Sequence, residues 1–321
     1  MTGTRFLLDD EQREFARSLD AMLTAADVPA AVRSWGAGDF TAGRALWARL
    51  AEAGVFALAV PEEYEGVGPL PVELAVAYVE LGRHGVPGPV VETAAVAGLL
   101  AAAKDSAHAK ALLPGLADGS VMATVKAPGG PYALDAEAAD VTVTFADGGL
   151  HLCADHGPTH RSVDPARRLT EPGAPTELLT QDRAAFAATE AWGTLAAAAQ
   201  TLGVGRALLD RTVAYVKQRK QFGTEIGTFQ TVKHQLADTL LKLEFAQPLL
   251  FGAALTMSRT DLAAAKLTAS EAAYHASRTA LQLHGAIGYT EELDLSLWIR
   301  KAQALRTAWG TPSACRKRVL A

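Results

Sequence analysis

The chain has 321 residues, 49% of them hydrophobic and 20% charged, with a net charge of -5. That balance is ordinary for a soluble globular protein and long enough for one large domain or two to three small ones. An acidic net charge argues against a general nucleic-acid binder, which carries a clustered basic excess. The two isolated cysteines, Cys153 and Cys315, give neither a disulfide framework nor metal-ligand spacing and point to a reducing cytoplasm.

Taken in chain order, Asp9-Asp10-Glu11 is an acidic helix start ahead of Phe15, Leu19 and Leu23 at four-residue spacing. No signal-peptide core precedes it. Trp47, Leu50 and Val55 mark a second helix that stops near Gly54, and Pro61 to Pro69 is a loop punctuated by Pro and Gly. A third helix carries Leu74, Val76, Tyr78, Val79 and Leu81 and ends at Gly82. A fourth, alanine-rich, spans about 91–103, and helical periodicity fades near Pro114. The middle is different. Residues 121–125 and 141–145 are short and β-branched, and Asp147-Gly148 between the second run and 150–153 is a hairpin signal. From Asp182 the helical pattern returns. Leu195, Leu202, Leu209, Val213 and Val216 share one face, as do Val232, Leu236, Leu240 and Leu243 in the next helix, which Pro248 is expected to kink or split. Two more helices span about 261–283 and 293–306. The longest apolar stretch, 249–257, is too short to cross a bilayer. The expected architecture is mainly α, in three parts: an N-terminal helical domain (1–119), a reduced middle β-domain (120–183) and a C-terminal four-helix bundle (184–321).

Two inter-helix stretches carry chemistry. In Arg219-Lys220-Gln221-Phe222-Gly223-Thr224-Glu225-Ile226-Gly227-Thr228-Phe229-Gln230, a guanidinium can pair with a phosphate in bidentate fashion and the adjacent aromatic can pack on a planar ring. On residues alone the reading as a helix-helix loop with a basic cap prevails. The second stretch, Gln282-Leu283-His284-Gly285-Ala286-Ile287-Gly288-Tyr289, adds an amide and glycines that allow close approach.

Together these stretches resemble the signature of the acyl-CoA dehydrogenases, Arg-x-x-Phe-Gly-x-x-(Ile/Leu)-x-x-x-Gln followed by Gln-x-x-Gly-Gly-x-Gly-(Tyr/Phe), with only Ala286 departing. Trp47, Gly54, Pro61-Glu62-Glu63-Tyr64, Gly66, Gly68 and Glu80-Leu81-Gly82 are similar to the family's N-terminal pattern. Asp164-Pro165-Ala166-Arg167-Arg168 resembles a linker of its shorter members. The resemblance implies FAD at a subunit interface. It assigns Arg219, Gln221, Phe222, Gln230, Gln282, Gly285 and Ala286 to the part of the cofactor site reached across that interface.

The same resemblance exposes an absence. The reaction takes a proton from the α-carbon of an acyl-CoA while the flavin accepts a hydride from the β-carbon, so a carboxylate base is needed. At the two positions where the family carries that Glu, this chain has Trp309 and, near the same level of the first C-terminal helix, Gly193. The Thr-Glu-Pro-x-x-Gly-Ser-Asp and Trp-Ile-Thr-Asn stretches that flank the flavin ring in the family are also missing between Thr124 and Asp164. Lys126-Ala127-Pro128-Gly129-Gly130 stands roughly where the first belongs.

Three readings follow. In the leading one, the chain is the base-less subunit of a heteromer. A longer acyl-CoA dehydrogenase subunit supplies the Glu and the acyl-CoA channel in an α2β2 tetramer, similar to enzymes acting on steroid side-chain CoA thioesters, with electron-transfer flavoprotein as the acceptor. In the second, it is a complete homo-oligomer with a relocated base among Glu190, Glu291, Glu292 and Asp294. In the third, it is a flavin-free scaffold.

Overall fold

The structure is a computed structural model describing residues 7–103, 106–126 and 130–321. Eleven α-helices and nine short strands occur among the described residues. The first part holds α1 (Asp10–Thr24), α2 (Val28–Gly36), α3 (Thr41–Glu52), α4 (Pro71–His84), α5 (Val90–Ala102) and α6 (Ala107–Ala117). Asp9 caps α1 in a capping box with Gln12, and Leu19 and Leu23 bury its apolar face. Helix α4 starts on Pro71 and stops at Gly85, whose φ of 73° is the left-handed cap that glycine tolerates. Helix α5 is buried on every side from Val90 to Leu100 and forms the axis of this part.

Two expectations fail here. Helix α2 does not show in the sequence pattern, because nine residues with Pro at the second position are too short for a period to emerge. Its Val28, Val32 and Trp35 enter the core all the same. Helix α6 runs through Pro114 rather than ending there. The Asp118 N–H bonds the Pro114 carbonyl, so the last turn closes although one donor is missing.

The middle part contains two small sheets. Strands β1 (Ala123–Val125), β3 (Val141–Ala146), β4 (Gly149–Cys153) and β7 (Pro175–Thr180) form one, in the order β1-β3-β4-β7. Strands β2 (Ala133–Leu134), β6 (Leu169–Pro172) and β5 (His156–His160) form the other. The predicted hairpin is present: Val143 faces Leu152 and Ala146 faces Gly149, with φ of 46° at Asp147 and 74° at Gly148, as a tight two-residue turn demands. Thr170-Glu171-Pro172 lies on β6. Residues 127–129 of the Lys126–Gly130 stretch lie outside the described residues.

The Asp164–Arg168 linker is a clamp rather than a free connection. Buried Asp164 pairs with buried Lys301 at 3.1 Å, Arg168 pairs with Glu137 at 2.6 Å, and the Arg168 N–H donates to Asp135 at 3.0 Å. Asp135 is fully buried. Desolvation outweighs the nearby Trp35 indole, the Arg168 N–H hydrogen bond and the Arg167 charge, and pushes its carboxyl up to about 7. A raised folded-state value means the native chain binds this proton more tightly than the unfolded chain does. The contribution is complete below the ordinary value near 3.8 and is lost as pH rises through about 7. Stability from urea titrations is therefore expected to fall between pH 4 and 7, with up to about 1.4 kcal/mol per pH unit from this group. Asp135→Asn should remove that component of the slope. An unchanged slope in the variant would show that the side chain ionises freely.

The last part holds α7 (Arg183–Gln218), α8 (Gln230–Thr256), α9 (Arg259–His284), α10 (Leu295–Leu305) and α11 (Pro312–Leu320). The expected four-helix bundle is formed by α7, α8, α9 and α10, and the short α11 is added to it. Helix α11 is hidden in the sequence because Cys315 alone is buried along its basic length. Pro248 does not split α8; the carbonyl it cannot bond belongs to Glu244, an exposed residue whose side chain holds Arg206 at 2.9 Å. Helix α7 is the spine, packed against α4, α5, α8 and α9. One continuous apolar core joins it to the N-terminal helices. No helix among the described residues is long and apolar enough to cross a membrane.

Candidate functional site

The two signature stretches meet at one end of the helical assembly. Helix α7 ends with Arg219 as its cap, the Arg219 N–H bonding the Tyr215 carbonyl at 2.9 Å. The chain then forms a two-stranded turn, β8 (Lys220–Gln221) against β9 (Thr224–Glu225). Phe222 and Gly223 occupy the bend with φ of 54° and 79°, so the glycine serves the turn itself. Phe222 is 91% exposed and sits edge-on to Phe229, just before Gln230, with ring centroids 6.3 Å apart.

The second stretch closes α9. His284 is buried, its Nδ1 is 2.8 Å from the Ala280 carbonyl oxygen, and its ring stacks on Tyr215 at 4.1 Å. Desolvation, its largest influence, lowers its pKa. His284 is therefore the post that ties the end of α9, which carries Gln282 and Gly285, to the last turn of α7, which leads into the Arg219 turn. Arg219, Gln221, Gln230, Gln282, Gly285 and Ala286 are all exposed. Gly285 has a φ of 65°, which favours glycine. Ala286 is not among the positive-φ residues, so alanine is at no conformational cost there. A Cβ at Gly223 or Gly285 would meet nothing within 4 Å, leaving room above the backbone. A guanidinium, three amides and an exposed ring around open glycines fit a ligand that presents phosphates and planar rings.

The two positions expected to carry a base turn out to be one contact. Trp309 is buried, with a φ of 55°, and its ring lies against Gly193. A Cβ at Gly193 would come within 2.3 Å of the ring carbons. The indole N–H donates to Glu92 Oε1 at 3.0 Å, and Arg167 Nη2 lies 3.9 Å from the same oxygen. Thr194 Oγ1 reaches the Trp309 carbonyl at 3.5 Å. The volume between α5, α7 and the segment before α11 is therefore filled by protein. Glu92 is the member that sequence reasoning did not single out, since a carboxylate inside an alanine-rich helix carries no local signal, and Arg167 was read only as part of the linker.

Three of the four candidate relocated bases are already engaged. Glu190 pairs with Arg318, Glu291 with Arg300 and Asp294 with Arg33 at 2.5 Å. The Arg300 hydrogen bond and charge lower the Glu291 carboxyl. Glu292 is exposed.

The order of parts and the paired signature turns define an acyl-CoA dehydrogenase architecture, and comparison with known proteins agrees. Residues 9–120 match the acyl-CoA dehydrogenase N-terminal domain and residues 185–320 the C-terminal domain. The chain belongs to the acyl-CoA dehydrogenase family. It is 37% identical to acyl-CoA dehydrogenase IpdE2 of Mycobacterium tuberculosis, over 91% of this chain and 91% of that protein. It is 32% identical to acyl-CoA dehydrogenase FadE34 of the same organism over 88% of this chain, but that match takes up 43% of FadE34. Among solved structures, the Tcur3481-Tcur3483 steroid acyl-CoA dehydrogenase (G363A variant) superimposes with a TM-score of 0.85 at 26% identity, covering 97% of this chain and 96% of that one.

Proposed function

We propose that this chain is the base-less subunit of a heteromeric, FAD-dependent acyl-CoA dehydrogenase. The observation that carries this reading is the Gly193–Trp309 interlock: both positions that would hold a general base are spent on one buried contact. A longer partner subunit, paired with this one in an α2β2 assembly, supplies the Glu and the acyl-CoA channel. Two findings support the pairing. The Tcur3481-Tcur3483 structure carries two gene names for one steroid enzyme, and FadE34 holds a region like this chain in under half of its own length. The steroid enzyme named in that structure supports a steroid side-chain CoA thioester as the substrate class.

When bound, the flavin supplies acceptance of the β-hydride. This chain's contribution is to hold it. Arg219 neutralises phosphate charge, Gln221, Gln230 and Gln282 offer amides, Phe222 covers an apolar ring face, and Gly285 and Ala286 let the ligand approach the backbone. Electron-transfer flavoprotein is the proposed acceptor, and the cytoplasm the proposed setting. The relocated-base reading is disfavoured by the ion pairs at Glu190, Glu291 and Asp294.

Co-expression with a longer dehydrogenase chain tests the proposal. The complex should retain one FAD per pair of chains, and Arg219→Ala should weaken FAD retention by on the order of 10- to 100-fold while the pair stays associated. A yellow, tetrameric lone chain that oxidises acyl-CoA would overturn it, and normal FAD content with Arg219→Ala would favour the scaffold reading.

A further inference from the structure

Three carboxylates converge on one guanidinium where α1 and α7 meet the end of α4. Arg83 Nη1 lies 3.0 Å from Glu80 Oε2 and 3.6 Å from Asp20 Oδ1, and its Nη2 lies 3.7 Å from Asp210 Oδ2. The neighbouring arginines are committed elsewhere. Arg206 pairs with Glu244 at 2.9 Å, and Arg211 lies over the Trp298 ring, 3.7 Å from its centroid. One cation among three anions leaves negative charge that a second cation would neutralise.

A histidine completes the cluster. His84 is the last residue of α4 and places Nε2 2.8 Å from Asp20 Oδ1. Glu80 stands one helical turn before it, so the two share a face, and Asp20 comes to them from α1. Ligand atoms of Asp20, Glu80 and His84 all lie within 4.8 Å of one another. In a tetrahedral zinc site, with bonds of about 2.0–2.2 Å, ligand atoms stand roughly 3.4 Å apart, so side-chain shifts of about an ångström would close the set and leave a fourth position for water. One imidazole with two carboxylates suits zinc-like ions, whereas magnesium and calcium favour oxygen alone. Glu80 is 7% exposed and forms the floor. The Asp20 side chain is 42% exposed, which leaves a way in. Arg83 stands against the same oxygens, but it has an alternative anchor, because Asp210 already lies beside its other nitrogen.

We propose that Asp20, Glu80 and His84 form a divalent transition-metal site of the zinc type, with Arg83 as an exchangeable counter-ion in its place. On binding, the ion takes the Asp20 and Glu80 oxygens, His84 ligates through Nε2 as the tautomer that carries its proton on Nδ1, and Arg83 turns to Asp210. The ion clamps α1 to α4. The site lies wholly within this chain and needs neither flavin nor a partner subunit.

The full, untagged chain is stripped with chelator and titrated with Co2+, Zn2+, Mg2+ and Ca2+. One equivalent of Co2+ should give a visible ligand-field band that Zn2+ abolishes. Zn2+ should also raise the melting temperature, while Mg2+ and Ca2+ bind roughly 100-fold more weakly or worse. His84→Ala and Asp20→Asn should each weaken Zn2+ by at least the 10- to 100-fold that changes around a metal site cost. Arg83→Gln should tighten it by on the order of tenfold, since the competing charged hydrogen bond to Glu80 is gone. Glu80→Gln should weaken it as well; if that buried change prevents folding, the Asp20 and His84 variants decide the matter. No band at one equivalent, comparable Mg2+ binding, or a Zn2+ affinity unchanged in His84→Ala overturns the proposal. Unchanged or weaker binding in Arg83→Gln overturns it too, because the guanidinium then does not give way to the ion. Flavin content is read separately on the complex, so failure here leaves the Arg219 test standing.

Discussion

Gly193→Glu is expected to destabilise the chain rather than to restore a base. Even a Cβ at that position would lie 2.3 Å from the Trp309 ring, well inside van der Waals contact. The indole cannot swing aside cheaply, because it is buried and its N–H is committed to Glu92 at 3.0 Å. Overpacking of this kind costs about 1–3 kcal/mol, and burying a carboxylate without a partner adds to it. A loss of about 3 kcal/mol or more should appear as a lower urea midpoint with no acyl-CoA oxidation by the lone chain. Trp309→Ala errs in the other direction, leaving a void and an undonated Glu92 oxygen, for a loss of about 3–5 kcal/mol. The double variant should lose clearly less than the sum of the two, because each change removes the other's defect. Strict additivity would show that the two positions do not share one volume, and would remove the observation on which the subunit assignment rests.

The second large effect lies where α4 crosses α7. A Cβ at Gly82 would meet the Gln200 carbonyl oxygen at 2.0 Å, and one at Gly203 would meet the Val79 carbonyl oxygen at 1.9 Å. Both neighbours are backbone, so neither can rotate away, and the only relief is to move the two helices apart. That separation would loosen the joint between the N-terminal helices and the spine. Gly203→Ala and Gly82→Ala are each expected to cost about 3 kcal/mol, the upper part of the usual overpacking range. Gly54→Ala is the matched control. Its φ is 76°, but a Cβ there meets nothing within 4 Å, so it should cost only the left-handed backbone penalty of about 1–2 kcal/mol. If the three variants melt together, the close crossing is not what joins the two parts.

Much of the helical scaffold was legible in the sequence because long amphipathic helices declare themselves by period. Asp9 and Asp182 stand where helices start, and Leu195, Leu202 and Leu209 do line a buried face of α7. The hairpin at Asp147-Gly148 was equally legible, since two successive positive-φ positions select those residues. The failures share a cause. Helices α2 and α11 are nine residues each, too short for periodicity, and are held by contacts to parts of the chain remote in sequence. Pro114 and Pro248 look like breaks, yet neighbouring turns hold the helix through them.

For the candidate site, residue order alone suggested which side chains belong together: Arg219, Phe222, Gln230 and Gln282 sit at fixed spacings in two turns, and Trp309 and Gly193 stand where the family resemblance leads one to expect carboxylates. Spacing along one chain can report this much because each turn is local. The tertiary structure decided the rest. It joined the ends of α7 and α9 through the Tyr215–His284 stack and put Trp309 and Gly193 into one packed contact. It also set Glu92 and Arg167 behind that contact. Those juxtapositions arise from how α5, α7, α9 and α11 pack against one another, and no local pattern encodes a distance between segments that meet only when the core closes.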